Sequence, residues 1–127
     1  MRIFKTKVFN RFARKADLSD AALREAIASA ERGLIDADLG GGVIKQRIAR
    51  PGAGKSGGFR TNVLFRAAER AVFVYGFGKN ERDNVKEDEL AEFRRLATLV
   101  LAYDNDEIMT TLKSGALIEV SDGQTVP

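Results

Sequence analysis

The chain reads as an α+β protein, and three observations carry that reading. Apolar residues recur at helical spacing in two segments near the start. Between residues 43 and 77 three β-like segments follow one another with short connections. After residue 87 helical spacing returns. Helix, strand and helix periods in succession predict a helical hairpin, an antiparallel meander and a C-terminal helix in one fold.

The elements follow in order. Arg2 to Lys5 alternates and reads as a short first strand. Val8, Phe9, Phe12, Ala13 and Ala16 have helical spacing, and Lys15-Ala16-Asp17-Leu18 makes a turn. Ser19 is placed as an N-cap, because its hydroxyl can accept a first-turn amide hydrogen. Leu23, Ile27 and Ala30 line one face of a second helix, and Gly33 is placed to end it. These two helices make the predicted hairpin. Gly40-Gly41-Gly42 forms a flexible entry to a strand over Val43–Arg50, with Ile44 and Ile48 on one face and Lys45 and Arg47 on the other. Pro51 to Gly58 holds four glycines and reads as a mobile loop. Phe59 to Arg66 is the second strand, with Phe59, Thr61, Val63 and Phe65 opposite Arg60 and Asn62. Ala67 to Arg70 connects it to Ala71–Phe77, whose apolar character places it centrally in the sheet. Leu90, Phe93, Leu96, Ala97, Val100 and Leu101 mark the third helix. Glu87, Asp88 and Glu89 in its first turn suit the positive end of the helix dipole. Leu117 to Val120 reads as a last short strand, and 121–127 as a frayed tail to a single domain spanning 1–127.

Composition narrows the chemistry. The 127 residues are 44% hydrophobic, enough for one core, and include no histidine and no cysteine. Disulfides, thiolate metal sites and triads with a histidine base are therefore excluded. Ten of the 18 carboxylates fall in the acidic segment 83–127, those of the third helix at solvated spacings, so neither a metal nor another cofactor is expected. No apolar run approaches the ~18 residues of a membrane span, and no signal-peptide h-region is visible. A cytoplasmic protein without membrane contact is the expectation.

The net charge of +3 conceals an asymmetry. Residues 43–82 hold nine Lys or Arg against two acids, whereas residues 83–127 hold four against ten. Clustered cations beside a glycine loop point to a phosphate-rich partner. Gly54-Lys55-Ser56 is not a nucleotide-binding P-loop, because Ala49 stands where the first glycine belongs and a strand, not a helix, follows.

Lys45 and Arg47 share a strand face, and Arg60 reaches it from the next strand. Lys79 and Arg82 leave the end of the third. So many like charges on one face repel, which a bound polyanion relieves. RNA carries its own nucleophile, the 2′-OH beside each phosphate. Cleaving it requires alignment, a proton acceptor, charge stabilisation on phosphorus and a proton donor. Arginine suits the phosphate charge. A lysine crowded by cations is disfavoured in its charged form and can serve as acid or base. Lys45 and Lys79 are the candidates for proton transfer, and Arg47, Arg60 and Arg82 for phosphate stabilisation. Arg50, Lys55 and Ser56 around the glycine loop, with Asn80 and Lys86 beyond the third strand, are further candidates for RNA contact.

From Phe4 to about Val120 the chain resembles the RelE superfamily of bacterial toxins, most closely its HigB-like branch. The resemblance is carried by Lys45-Gln46-Arg47-Ile48-Ala49-Arg50-Pro51-Gly52 and by Gly54-Lys55-Ser56-Gly57-Gly58-Phe59-Arg60. Tyr75-Gly76-Phe77 and Lys79-Asn80-Glu81-Arg82-Asp83-Asn84 add to it. It implies helices packed on a curved, mostly antiparallel sheet, and a toxin that cuts mRNA in the ribosomal A site. It implies a cognate antitoxin, which neutralises the toxin and joins it in a complex that binds operator DNA. By this resemblance Lys45 and Arg47 are the basic pair before the loop, Arg60 the phosphate-stabilising arginine, and Lys79 and Arg82 members of the basic run after the last long strand. Asn80 stands where the best-known members have an arginine, and Lys86 near the place of their base-stacking tyrosine. Tyr75 and Phe77 are the available substitutes, although their strand reads as core. Two rival readings are a non-catalytic nucleic-acid-binding module of a repressor complex and a ParE-like gyrase inhibitor. The basic face argues against the latter.

Overall fold

The structure, a computed structural model, describes residues 1–50, 54–79, 81, 82 and 84–121, with the backbone alone for 54–57. It is α+β. Strand β1 (Arg2–Thr6) leads directly into helix α1 (Lys7–Lys15), which the Thr6 hydroxyl caps by accepting from the Phe9 amide at 3.1 Å. Helix α2 (Asp20–Glu31) is capped by Ser19, as its sequence predicts. Strands β2 (Ala37–Gly40), β3 (Val43–Arg50), β4 (Gly54–Arg66) and β5 (Arg70–Gly78) form an antiparallel meander. Helices α3 (Glu87–Val100) and α4 (Asn105–Ser114) precede a short strand β6 (Leu117–Glu119).

The sheet order is β2-β3-β4-β5-β1-β6. Only β1 against β5 is parallel, because the chain crosses the sheet through the hairpin and returns by way of the meander. Phe9, Ala13, Leu23, Ile27 and Ala30 of the hairpin bury one sheet face, against Ile44, Ile48, Phe59, Val63 and Phe73. Ala97, Val100, Leu101 and Ile108 bury part of the other, against Phe4, Val43, Leu64 and Val72. The apolar residues at helical spacing on both helices of the hairpin turn inward, except Val8, which is exposed. Among the described residues no helix is long and apolar enough to cross a membrane.

Four expectations are corrected. Strand β2 pairs with β3 where no element is predicted, and the expected flexible entry Gly40-Gly41-Gly42 is a tight turn with φ of 81°, 62° and 85°. Strand β4 begins at Gly54, so five of the eight residues of the predicted mobile loop are strand; residues 51–53 lie outside the described residues. Helix α4 has no counterpart among the predicted elements, although Asp104 caps its start and Gly115, at φ 80°, ends it. Of the predicted frayed tail, Ser121 is bound: its amide donates to Asp20 Oδ2 at 2.9 Å and its carbonyl accepts from Arg24. The remainder, 122–127, lies outside the described residues.

Candidate functional site

One end of the sheet face opposite the hairpin is left to polar side chains. Strand alternation selects them. In β3 the even residues Ile44, Gln46 and Ile48 are buried, while Lys45 and Arg47 point to the other face. Register then sets their neighbours: Arg47 stands across from Arg60 and Lys45 across from Asn62. On the far side Arg60 faces Phe77 and Asn62 faces Tyr75. Two rows thus cross three strands, Arg47–Arg60–Phe77 and Lys45–Asn62–Tyr75.

The second row depends on a bulge. The β4–β5 register shifts between Asn62 and Val63, whose partners are Tyr75 and Phe73. Val74 is the extra residue. It and Tyr75 both lie with the α3-side cluster, whereas Phe73 belongs to the hairpin-side core. A bulge reverses the alternation of a strand. Here it carries Tyr75 and Phe77 onto the cationic face, with ring centroids 5.9 Å apart.

Acids from two distant segments enter this face, and neither was expected there. Asp36, just before β2, forms an ion pair with Arg47, Oδ1 to Nε 2.9 Å, and its Oδ2 lies 3.7 Å from Lys45 Nζ. Glu89, in the first turn of α3, holds Arg82 by two contacts of 2.5 and 3.2 Å. Arg82 also donates to the Tyr75 hydroxyl at 3.1 Å and lies 5.6 and 5.7 Å from the Tyr75 and Phe77 ring centroids. Its hydrogen bonds to Glu89 and then to Tyr75 hold the guanidinium more firmly charged than usual. In return, the hydrogen bond from Arg82, joined by one from the Lys86 amide, holds the Glu89 carboxyl below the usual carboxylate range. Lys45 Nζ also donates to Asn84 Oδ1 at 3.2 Å. The expected crowding of bare cations is therefore relieved in part by carboxylates within the fold.

Arg60 and Asn62 are different. Arg60 is only 6% exposed, and its Nη1 has no hydrogen-bond partner among the described residues. Asn62 is 1% exposed, and neither end of its amide has one. Buried polar groups are normally paired, and one left unpaired costs about 1–3 kcal/mol.

The sequence-derived candidates thus divide. Lys45, Arg47, Arg60 and Arg82 come together on one face. Lys79 is exposed just past the end of β5. Arg50 is elsewhere: its guanidinium lies 4.9 Å from the ring centroid of Phe59, a hairpin-side core residue. Lys86 is exposed at the N-cap of α3, where its amide donates to Glu89. The side chains of Lys55 and Ser56, and Asn80 altogether, lie outside the described residues. Sequence reasoning missed Asp36, Glu89, Asn84 and the role of Asn62. Only Asn62 left a signal, as a polar residue on the Arg60 face of an apolar strand.

Cationic side chains, a buried arginine with a nitrogen unpartnered among the described residues and two aromatic rings thus meet on one sheet face. The model of the RelE toxin of the RelE / RelB toxin-antitoxin system matches residues 1–120, and the chain belongs to that family. It is therefore a toxin component of a toxin-antitoxin system, with an antitoxin as partner. The chain matches no curated protein.

Proposed function

We propose that this toxin is an endoribonuclease that cuts mRNA on the ribosome without a metal ion, using the substrate's 2′-OH as nucleophile. The observation that carries the proposal is Arg60. A guanidinium buried between Arg47 and Phe77, with a nitrogen unpartnered among the described residues, is poorly explained by folding alone. A phosphate supplies the missing acceptor and the missing negative charge, and arginine's planar fork matches its geometry. Arg47 lies next to it and can share the charge that develops on phosphorus. Lys45 and the exposed Lys79 are the candidates to take the 2′-OH proton and return one to the leaving 5′ oxygen. Arg82 bears on phosphate only by leaving Glu89.

The antitoxin neutralises this activity in the proposed scheme, and operator DNA is reached only through the toxin–antitoxin complex. The basic strings around residues 45–60 favour the HigB-like branch. A second reading has one observation in its favour. Asp36 and Glu89 already engage Lys45, Arg47 and Arg82, as suits a face that binds nucleic acid without reacting with it.

Expression without antitoxin in translating cells separates the two. Site-specific mRNA cleavage supports the nuclease; RNA binding with intact mRNA supports the binding module. Arg60→Ala is expected to abolish growth arrest and cleavage while the protein stays folded. A folded variant that remains fully toxic removes Arg60 from the reaction.

A further inference from the structure

Gln46 points away from the cations. It lies on β3 between Ile44 and Ile48, which belong to the hairpin-side core, and it is only 3% exposed. An apolar residue would be expected there. The amide is instead fully employed. Its Nε2 donates to the Ala26 carbonyl at 2.9 Å and to the Leu34 carbonyl at 3.2 Å, and its Oε1 accepts from the Asp36 amide at 2.9 Å. A buried amide persists only with its bonds made, so what those bonds hold explains its presence.

They hold segment 34–36, which joins α2 to β2 and belongs to neither. Apolar packing fixes this segment poorly: Leu34 is exposed, and a groove of about 420 Å³ lined by Ala22, Ala26, Leu34 and Ile35 runs beside it. The main anchor is Gln46. Asp36 is therefore gripped twice by one strand. Gln46 takes its main chain from the hairpin side, while its carboxylate pairs with Arg47 and Lys45 on the other. Strand alternation makes this possible, because residue 46 points to one face and residues 45 and 47 to the other. The ion pair engages Nε of Arg47, which leaves the terminal nitrogens of the guanidinium to meet a phosphate. The Arg47 side chain is half-exposed, and an ion pair so placed orders a long side chain by only about 0–1 kcal/mol when its partner is itself free to move. Fixing the main chain of Asp36 removes that freedom.

We propose that Gln46 is a positioning residue for cleavage: by holding the main chain at Asp36 from behind the sheet, it aims the Asp36 carboxylate, which in turn aims the Arg47 guanidinium at the scissile phosphate. Gln46 itself meets no RNA. The consequence for cleavage rests on the nuclease reading; the placement of Arg47 does not.

The test compares the whole toxin with Gln46→Met, Asp36→Asn and the double variant, by two measurements. The first is the NMR signal of the Arg47 Nε–H group, assigned by its loss in Arg47→Lys. It is expected to be resolved in the wild type and broadened by exchange with water in both single variants. The second is the rate of mRNA cleavage on programmed ribosomes. In either single variant kcat is expected to fall by about tenfold or more, with KM moving less, because a misplaced group is lost mainly from the transition state. The double variant should be no slower than the slower single one, since both substitutions break the same chain of contacts. A merely structural Gln46 would slow cleavage by the same factor with and without Asp36. Additive losses, an unchanged Arg47 signal in Gln46→Met, or full kcat in Asp36→Asn each overturn the inference. So does a Gln46→Met variant that is unfolded at the assay temperature, because Gln46 then holds the fold rather than the site. A wild type that cuts no mRNA rejects the nuclease reading, and the Arg47 signal still decides whether Gln46 places that side chain.

Discussion

Three side chains on the cationic face, Lys45, Arg47 and Arg82, are engaged by an acid, and two, Arg60 and Asn62, are buried with polar atoms unpartnered among the described residues; that contrast organises the chemistry residue by residue. Glu89 is the acid whose removal is most informative. Glu89→Gln keeps an acceptor for the Lys86 amide but loses the charge that holds Arg82. RNA affinity at low salt is expected to rise severalfold, measured as Kd on a short single strand, because one negative charge leaves the face and Arg82 is released. Unchanged affinity would show that Arg82 contributes nothing to RNA binding.

Asp20 makes a second prediction at this scale, about stability. It accepts from the buried Lys5 at 2.8 Å and from the Ser121 amide at 2.9 Å. Burial pushes its carboxyl up, but these hydrogen bonds, with the charges of Lys5 and Arg24, more than offset that, and the net shift is downward. A carboxyl whose pKa is lower when folded than unfolded contributes stability in full above the unfolded value of about 3.9. That contribution is lost as pH falls through the lower folded value. Asp20→Asn is therefore expected to destabilise at pH 7, by about 1–3 kcal/mol for the unpaired Lys5. Its stability should also vary less between about pH 5 and pH 2 than that of the wild type. Urea denaturation across that range checks both.

At the scale of elements, two glycines keep the site's strands in place. A Cβ at Gly58 would lie 2.1 Å from the Ile48 carbonyl oxygen of the paired strand. Backbone cannot yield as a side chain tip can, so Gly58→Ala is expected to cost at least about 1–3 kcal/mol and to disturb the β3–β4 register that sets Arg47 opposite Arg60. A denaturation midpoint equal to that of the wild type would show that the hairpin tolerates the methyl group. A Cβ at Gly76 would fall 2.3 Å from the Phe12 ring, so α1 packs directly on the strand that carries Tyr75 and Phe77. The elements themselves were mostly legible: the hairpin, the three meander strands, α3 and β6 follow from period, caps and turn residues. Strand β2 was not, because a short edge strand of Ala37-Asp38-Leu39-Gly40 has little pattern, and its pairing with β3 makes it a strand. Helix α4 was legible in principle, from Asp104 with Glu107 three residues on and the stop at Gly115. Its single fully buried residue, Ile108, gives it only a weak apolar stripe.

Across the whole molecule, helices cover both faces of the sheet except at the end where the cationic rows emerge. If several of these cations hold phosphates, affinity for single-stranded RNA should fall with salt at a log–log slope of about −0.7 per contact. Arg60→Ala should make that slope shallower by roughly one contact. Binding that ignores salt would contradict the phosphate-binding face altogether.

Strand alternation is a local property of the chain, and by itself it determined that Lys45, Arg47, Arg60 and Asn62 turn away from the side taken by Ile44, Ile48 and Phe59. Composition excluded histidine and cysteine chemistry equally directly. Other features depended on tertiary structure. The bulge at Val74 is set by pairing across two strands, and it decides that Tyr75 and Phe77 join the cations. Asp36 and Glu89 arrive from segments far away in sequence, and Arg50 goes to the opposite face. The physical reason is range: side-chain direction within a strand follows from two successive residues, whereas charge balance and ring placement follow from which backbones pair and which loops pass over them.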